Sequence, residues 1–114
     1  MGQVATLKAG EVVVADFPGI TGVKRRPAVV VSTDAYHSHR SDVILGAITT
    51  NLAAATTPMD YTLNDWAAAG LYHPSAFRTF LVTLPQAQVL AAIGHLSNTD
   101  WVAVQGRLQR AIAI

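Results

Sequence analysis

Residues 27–32, PAVVVS, form an unbroken apolar run of strand length, and three cations, Lys24, Arg25 and Arg26, come directly before it. Such a run of β-branched residues is typical of a strand that is buried on both faces. Because proline cannot donate a ladder hydrogen bond, Pro27 is expected at the first position of this strand. The sequence therefore predicts positive charge at the mouth of a central strand.

The segment before these cations predicts a strand followed by a loop. GEVVVADF (10–17) is rich in β-branched residues and reads as the first strand. PGITGVKRR (18–26) contains one proline and two glycines, which are typical of loops. At about nine residues it exceeds the usual hairpin connection, so we expect a flexible loop with a function.

Three more strands and one helical turn are predicted downstream, after a polar loop at 33–41. They occupy residues 42–51, 59–63 and 75–83 for the strands and 63–71 for the turn. The turn should begin at Asn64 or Asp65 and end at Gly70, which are typical capping residues.

Two helices are predicted at the end of the chain. Thr83 and Gln86 have the spacing of a capping box, which favours a helix over 84–94. Ser97 and Asp100 resemble a second box, which opens a helix with one apolar face. That face contains Trp101, Val104, Leu108 and Ile112. The pattern as a whole favours a mainly β fold, a small and partly open barrel capped by a C-terminal helix.

Composition limits the function classes. A chain of 114 residues with 51% hydrophobic and 13% charged residues fits one globular domain, residues 1–114, and argues against disorder. A net charge of +1 means that binding of nucleic acid would depend on a few placed cations. The absence of cysteine excludes disulfides and thiolate metal sites. No stretch has the length or layout of a membrane span or a signal peptide, so we expect a cytoplasmic protein.

Several motifs in a fixed order resemble those of the MazF/PemK family of toxin–antitoxin endoribonucleases. They are GEVVVADFPG (10–19), RRPAVVVS (25–32), ITTN (48–51), DWAAAGLYHPSAFR (65–78) and IGHLSNTDW (93–101). The resemblance implies an SH3-like barrel and a homodimer. It also implies cleavage of single-stranded RNA through the ribose 2′-hydroxyl, with neither metal nor cofactor, and inhibition by a cognate antitoxin.

The resemblance assigns the central catalytic roles to Arg26 and Thr49. Arg26 occupies the family's Arg-Pro position, where a guanidinium can bind two phosphate oxygens and stabilise the developing charge. Thr49 matches the first threonine of a strand-end pair and would donate a hydrogen bond to the scissile phosphate. Thr50 is the alternative to Thr49.

Other cations are expected to bind the substrate. Lys24 and Arg25 fall in what resembles the family's gating loop, where they would attract the RNA backbone. The boundary between mobile and fixed charge is predicted between Arg25 and Arg26.

Ser75 and Arg78 lie on the predicted fifth strand, where relatives carry polar active-site groups. Strand alternation directs them to opposite faces unless a bulge intervenes. Some relatives have an acid two positions after the arginine, and here that position is Phe80.

His37 and His39 are candidates for proton transfer, because histidine titrates near neutral pH. Two other functions stay open at this point. A CcdB-like toxin that poisons gyrase shares the fold, and the phenylalanine at a usually polar position leaves room for a relative that binds RNA without cutting it.

Overall fold

The computed structural model describes residues 6–19 and 22–114, which form one curled antiparallel sheet and its flanking helices. The strands are β1 (Glu11–Gly19), β2 (Gly22–Val30), β3 (Asp42–Thr49), β4 (Tyr61–Thr62), β5 (Ala76–Pro85) and β6 (Val89–His95). The helices are α1 (Asp34–His39) and α2 (Asn98–Ala111), with short 3₁₀ turns at Leu52–Ala54 and Gln86–Gln88. The sheet order is β4-β5-β3-β2-β1-β6. This architecture confirms the predicted mainly β, partly open barrel with one C-terminal helix.

The two faces of the sheet bury separate cores. The barrel core contains Leu7, Val13, Ala15, Phe17, Ala28, Val30, Val43, Leu45, Ala47 and Val89. The helix core contains Val12, Val29, Ile48, Leu63, Ala69, Leu71, Phe77, Leu96 and Val104. In β2, Ala28 and Val30 face the first core and Val29 faces the second, so this part of the strand is buried on both faces, as its apolar run predicts.

The predicted loop at 18–26 is wrong, because this segment is the arm of a β-hairpin. β1 and β2 pair in continuous register from Val12↔Val29 to Gly19↔Gly22, and residues 20–21 lie outside the described ranges. Gly22 has a φ of +119°, which glycine adopts without the steric cost that other residues meet. Strand pairing therefore extends up to Gly19 and Gly22, where the composition indicates a long loop.

Pro27 lies inside β2 and not at its start. Among the described residues, positions 22–27 pair with β1 alone, and pairing with β3 begins at Ala28. The position is tolerated because a strand with only one neighbour leaves alternate backbone N–H groups without a ladder partner.

Two further element predictions are wrong. The polar loop at 33–41 contains α1, whose N-cap Thr33 accepts a hydrogen bond from the Tyr36 N–H. The helix predicted at 84–94 is the end of β5, a 3₁₀ turn and β6, which pairs with the outer edge of β1. The exposed edge of β1 requires a partner strand, and this requirement overrides the helical pattern of the segment.

The C-terminal helix α2 begins where the sequence predicts. Ser97 is its N-cap, and the Ser97 Oγ accepts from the Asp100 N–H at 3.2 Å. Val104 is buried and Trp101 packs against the helix core, whereas Ile112 caps the helix end and is 40% exposed. None of the helices in the described ranges has the length and apolarity needed to cross a membrane.

The predicted helical turn at 63–71 is a hydrogen-bonded turn that packs on β6. The Ala69 N–H donates to the Asp65 carbonyl at 3.2 Å, and Gly70 ends the turn with a φ of +91°. A Cβ added to Gly94 would lie 2.1 Å from the Ala69 carbonyl oxygen. Glycine is therefore needed in β6 so that the turn can approach it closely.

Candidate active site

A groove of about 320 Å³ lies between the hairpin arm and the end of β3. It brings together five residues that the sequence predicts for the site. Its lining consists of Lys24, Arg25, Arg26, Pro27, Ile48, Thr49 and Thr50. The groove is thus built on two paired strands whose inner ends are buried in both cores.

Arg26 and Thr49 extend from the same face of the sheet. Ala28 pairs with Ala47, and Arg26 and Thr49 lie two residues farther along their strands. Since side chains alternate with a period of two, all four occupy the face of the barrel core. The Thr49 Oγ1 accepts from the Asn51 N–H at 3.0 Å, which leaves the hydroxyl proton free to be donated.

The charge on Arg26 is not neutralised by a neighbour. The side chain is half-buried and forms no ion pair within the part of the chain that the structure describes. A guanidinium is a planar, preorganised fork, so little conformational freedom is lost for each hydrogen bond that it forms with phosphate. The groove therefore presents the Arg26 guanidinium and the Thr49 hydroxyl on one face of the sheet.

Arg25 differs from its neighbour because it extends from the opposite face. It pairs with Asp16 across the hairpin, and the Arg25 Nε donates to the Asp16 Oδ1 at 3.1 Å. Lys24 pairs with Phe17 on the face of Arg26. Lys24 and Arg25 therefore lie in the same strand as Arg26 and not in a loop, whereas the boundary between mobile and fixed charge stays a prediction.

Arg78 lies in a bulge of β5 and outside the groove. Gly46 pairs with Leu81 and Ile48 pairs with Phe77, so three residues of β5 oppose the single residue between Gly46 and Ile48. A bulge of this kind is the condition under which β5 departs from strict alternation of side chains. The bulge directs Arg78 into a separate cavity of about 190 Å³, lined also by Thr57, Met59, Asp60, Thr79, Phe80 and Ala111.

Ser75 is not available at the surface. It is 1% exposed, and its Oγ donates to the His73 carbonyl at 2.7 Å. Its own carbonyl accepts from the Leu63 N–H at 2.9 Å. The structure therefore gives Ser75 a role in fixing the start of β5 and does not support the predicted contact with substrate.

His37 and His39 lie on α1, and neither lines the groove. The His37 Nδ1 is 2.9 Å from the Leu7 carbonyl oxygen, which can only accept, so Nδ1 carries the proton. Nε2 then accepts from the Ser32 hydroxyl at 2.6 Å. Both ring nitrogens of His37 thus tie the N-terminal segment to the end of β2. The His39 Nδ1 bonds to the Ala35 carbonyl at 2.9 Å.

Two contributors to this region escape the sequence analysis. Asp16 restrains Arg25, and this contact follows only once the register that extends to Gly19↔Gly22 is known. Asp60 holds the bulge, since its Oδ1 accepts from the Thr79 N–H at 3.3 Å. No sequence signal identifies that contact. Residues 6–19 and 22–114 contain no cluster of three or more His, Asp or Glu side chains that could hold a metal ion.

Comparisons with known proteins agree on one family. The model of the PemK-like, MazF-like toxins of type II toxin–antitoxin systems matches residues 8–112. Among solved structures, an endoribonuclease from a mycobacterial species in complex with its cognate antitoxin superposes with a TM-score of 0.75 at 19% identity, over 93% of this chain and 94% of that chain.

Two structures from Deinococcus radiodurans are equally similar. MazF matches with a TM-score of 0.74 at 20% identity, over 95% of this chain and 97% of that chain. A MazE-MazF crystal structure matches with a TM-score of 0.72 at 19% identity, over 97% and 99% respectively. At these identities the likeness shows the fold. No curated protein sequence matches this chain significantly.

Proposed function

Because the chain belongs to the family of PemK-like, MazF-like toxins of type II toxin–antitoxin systems, we propose that it is a metal-independent endoribonuclease. It cleaves single-stranded RNA at a short motif, acts as a cytoplasmic homodimer and is neutralised by a cognate antitoxin. The observation that supports this proposal is the groove in which Arg26 and Thr49 share one face.

The reaction is an internal phosphoryl transfer. The ribose 2′-oxygen forms a bond to the adjacent phosphorus as its proton leaves, and the bond from phosphorus to the 5′-oxygen breaks as that oxygen takes up a proton. The products are a 2′,3′-cyclic phosphate and a 5′-hydroxyl. Charge accumulates on the nonbridging phosphate oxygens, so donors fixed around them lower the barrier.

The side chains of the groove fit this requirement for charge stabilisation. Arg26 binds the nonbridging oxygens through its planar fork, and the Thr49 hydroxyl donates a hydrogen bond to the same phosphate. Lys24, on the hairpin arm, attracts the RNA backbone. The residues that line the groove include neither a carboxylate nor an imidazole, so we assign them to charge stabilisation and not to removal of the 2′-proton.

The test of Arg26 is cleavage of a labelled single-stranded transcript in EDTA. We expect Arg26→Ala to lower the single-turnover rate by about 100- to 1000-fold, as removal of one oxyanion donor does. Arg26→Lys keeps the positive charge but lacks the planar fork, so its rate should lie between those of the wild type and Arg26→Ala. The wild-type protein should not cleave an RNA that carries a 2′-deoxy sugar at the cut nucleotide. A wild-type rate for the alanine variant would refute the assignment.

Thr49 and Thr50 form a natural matched pair. Thr49→Val preserves the β-branched shape and removes the donor, so we expect a loss of about 10- to 100-fold, the value of a hydrogen bond to a charged group. Thr50→Val, at the neighbouring exposed position, should change the rate by less than about twofold. The same single-turnover assay decides between the two, and the reverse ranking would transfer the role to Thr50.

A further inference from the structure

Phe80 is an exposed aromatic side chain beside the groove. It is 49% exposed, and its ring centroid lies 6.2 Å from that of Phe17. The sheet order places β3 and β2 between β5 and β1, which would separate the outer two strands by roughly 14 Å in a flat sheet. The curl of the sheet and the bulge of β5 therefore bring Phe80 over the arm, next to the strand position where Phe17 pairs with Lys24.

Arg78 lies in the cavity on the other side of the Phe80 ring, and one of its hydrogen-bond donors is unsatisfied. The Arg78 Nε is buried and finds no hydrogen-bond partner within the described part of the chain. The nearby Asp60 carboxylate accepts from Thr79 and from Thr57 but forms no hydrogen bond with Arg78. Buried donors in native proteins almost always have a partner, so the cavity is short of one acceptor.

We propose that Phe80 and Arg78 form a nucleotide subsite of the RNA groove, in which the ring stacks on a base and the guanidinium binds a neighbouring phosphate. This inference depends on the proposed nuclease function. A cation on either side of an exposed ring, Lys24 toward the groove and Arg78 toward the cavity, matches the alternation of phosphates and bases along a single strand. Phe80, at the position where some relatives have an acid, then acts in substrate selection.

The ring is tested with Phe80→Leu, which keeps an apolar contact with Phe17 and removes the stacking face. The probe is a labelled RNA with the mapped cleavage motif and a 2′-deoxy sugar at the cut nucleotide, measured by fluorescence anisotropy. We expect binding to weaken by between about fivefold and a hundredfold. Phe80→Trp, the matched control, should bind within about twofold of wild type.

A second series identifies the stacked base. Each nucleotide of the probe is replaced in turn by an abasic one, and every probe is measured with wild type and with Phe80→Leu. We expect one position at which the abasic change weakens wild-type binding and abolishes the penalty of Phe80→Leu. Penalties that add at every position would overturn the subsite, because they would show that the ring contacts no single base.

Arg78 has its own measure. Arg78→Gln should reduce the slope of log affinity against log salt by about 0.7, the contribution of one phosphate on a single strand. An unchanged slope for Arg78→Gln would show that Arg78 contacts no phosphate and would overturn the proposal. A change of oligomeric state in light scattering of Phe80→Leu would overturn it in favour of a protein contact at Phe80. Failure of the wild type to bind or cut RNA would refute the nuclease function itself, whereas unaffected binding by Phe80→Leu would remove the subsite alone.

Discussion

At the residue scale, the groove depends on which face of β2 each cation occupies. Arg26 extends from the face of the barrel core and forms no ion pair in the described residues, whereas Arg25 is paired with Asp16 on the other face. An exposed pair of this kind contributes about 0.2–1 kcal/mol to stability. The pair also partly neutralises the charge of Arg25, so the two adjacent arginines differ in the charge that they present to solvent.

The buried carboxylate of Asp100 is the main polar centre of the helix core. It is 0% exposed and accepts hydrogen bonds from the Tyr61 hydroxyl at 2.7 Å and from the Asn64 and Asp65 N–H groups at 3.1 Å and 2.8 Å. Helix α2 is thereby joined to β4 and to the following turn. The sequence pattern indicates a capping box, but the carboxylate bonds to distant residues that local spacing cannot specify.

This centre predicts a loss of stability at high pH. Burial and the hydrogen bond to Asp100 raise the pKa of Tyr61 from 10.0 to about 12. A group whose pKa is raised by folding contributes stability that is complete below the unfolded value and is lost as the pH rises through the folded one. The Tyr61 contribution should therefore disappear between about pH 10 and about pH 12.

Tyr61→Phe provides the control for that prediction. Urea unfolding of both proteins from pH 8.5 upward should show the variant less stable at the start, because it lacks a hydrogen bond to a carboxylate worth about 1.5–3 kcal/mol. The gap should close as Tyr61 ionises in the wild type. A gap that stays constant across this range would mean that Tyr61 does not ionise differently in the two states.

At the element scale, the sequence predicts those elements whose signals are local. The apolar run of β2 and the Ser97 cap of α2 are such signals, and both are confirmed. The arm and β6 are not predicted, because a strand next to β1 is stabilised by pairing with residues far away in the chain. The same reason applies to the candidate site. Motif order predicts the position of Thr49, whereas the orientation of Arg78 depends on a bulge that is held by the distant Asp60.

Two glycines provide a test of how the turn at 63–71 packs on β6. Gly94→Ala would place a Cβ 2.1 Å from the Ala69 carbonyl oxygen, so the turn or the strand must move. We expect a loss of about 2 kcal/mol or more in thermal unfolding, in the range of overpacked sites. Gly106→Ala in α2 is the matched control, since its Cβ meets nothing within 4 Å.

The control should change stability in the opposite direction. Alanine is favoured over glycine inside a helix by about 0.8–1.0 kcal/mol, so Gly106→Ala should raise the melting temperature. Equal effects of the two substitutions would show that the close approach of Gly94 to the turn is relaxed in solution.

At the scale of the whole molecule, the proposed RNA binding would depend on the placement of cations and not on net charge. The chain carries only +1, and the cations that we propose to meet phosphate are Lys24, Arg26 and Arg78. Three phosphate contacts on a single strand predict a slope of about −2 for log affinity against log salt.

Anisotropy titrations between 50 and 200 mM salt, roughly the range over which such slopes are measured, test this expectation. Lys24→Ala should make the slope shallower by about 0.7, and Arg25→Ala should change it less because Asp16 already compensates that charge. A slope much steeper than about −2 would require cations outside this set.

The one-sided pairing of the hairpin arm has a consequence for hydrogen exchange. Positions 22–25 pair with residues 16–19 of β1, which have no second partner strand among the described residues, while Ala28–Val30 lie between two strands and in both cores. A two-stranded ribbon opens locally at little cost, whereas the buried segment opens only with the whole molecule. Amide protection should therefore rise between Arg25 and Ala28, and RNA or antitoxin bound along the arm would be recorded first as slower exchange of its amides.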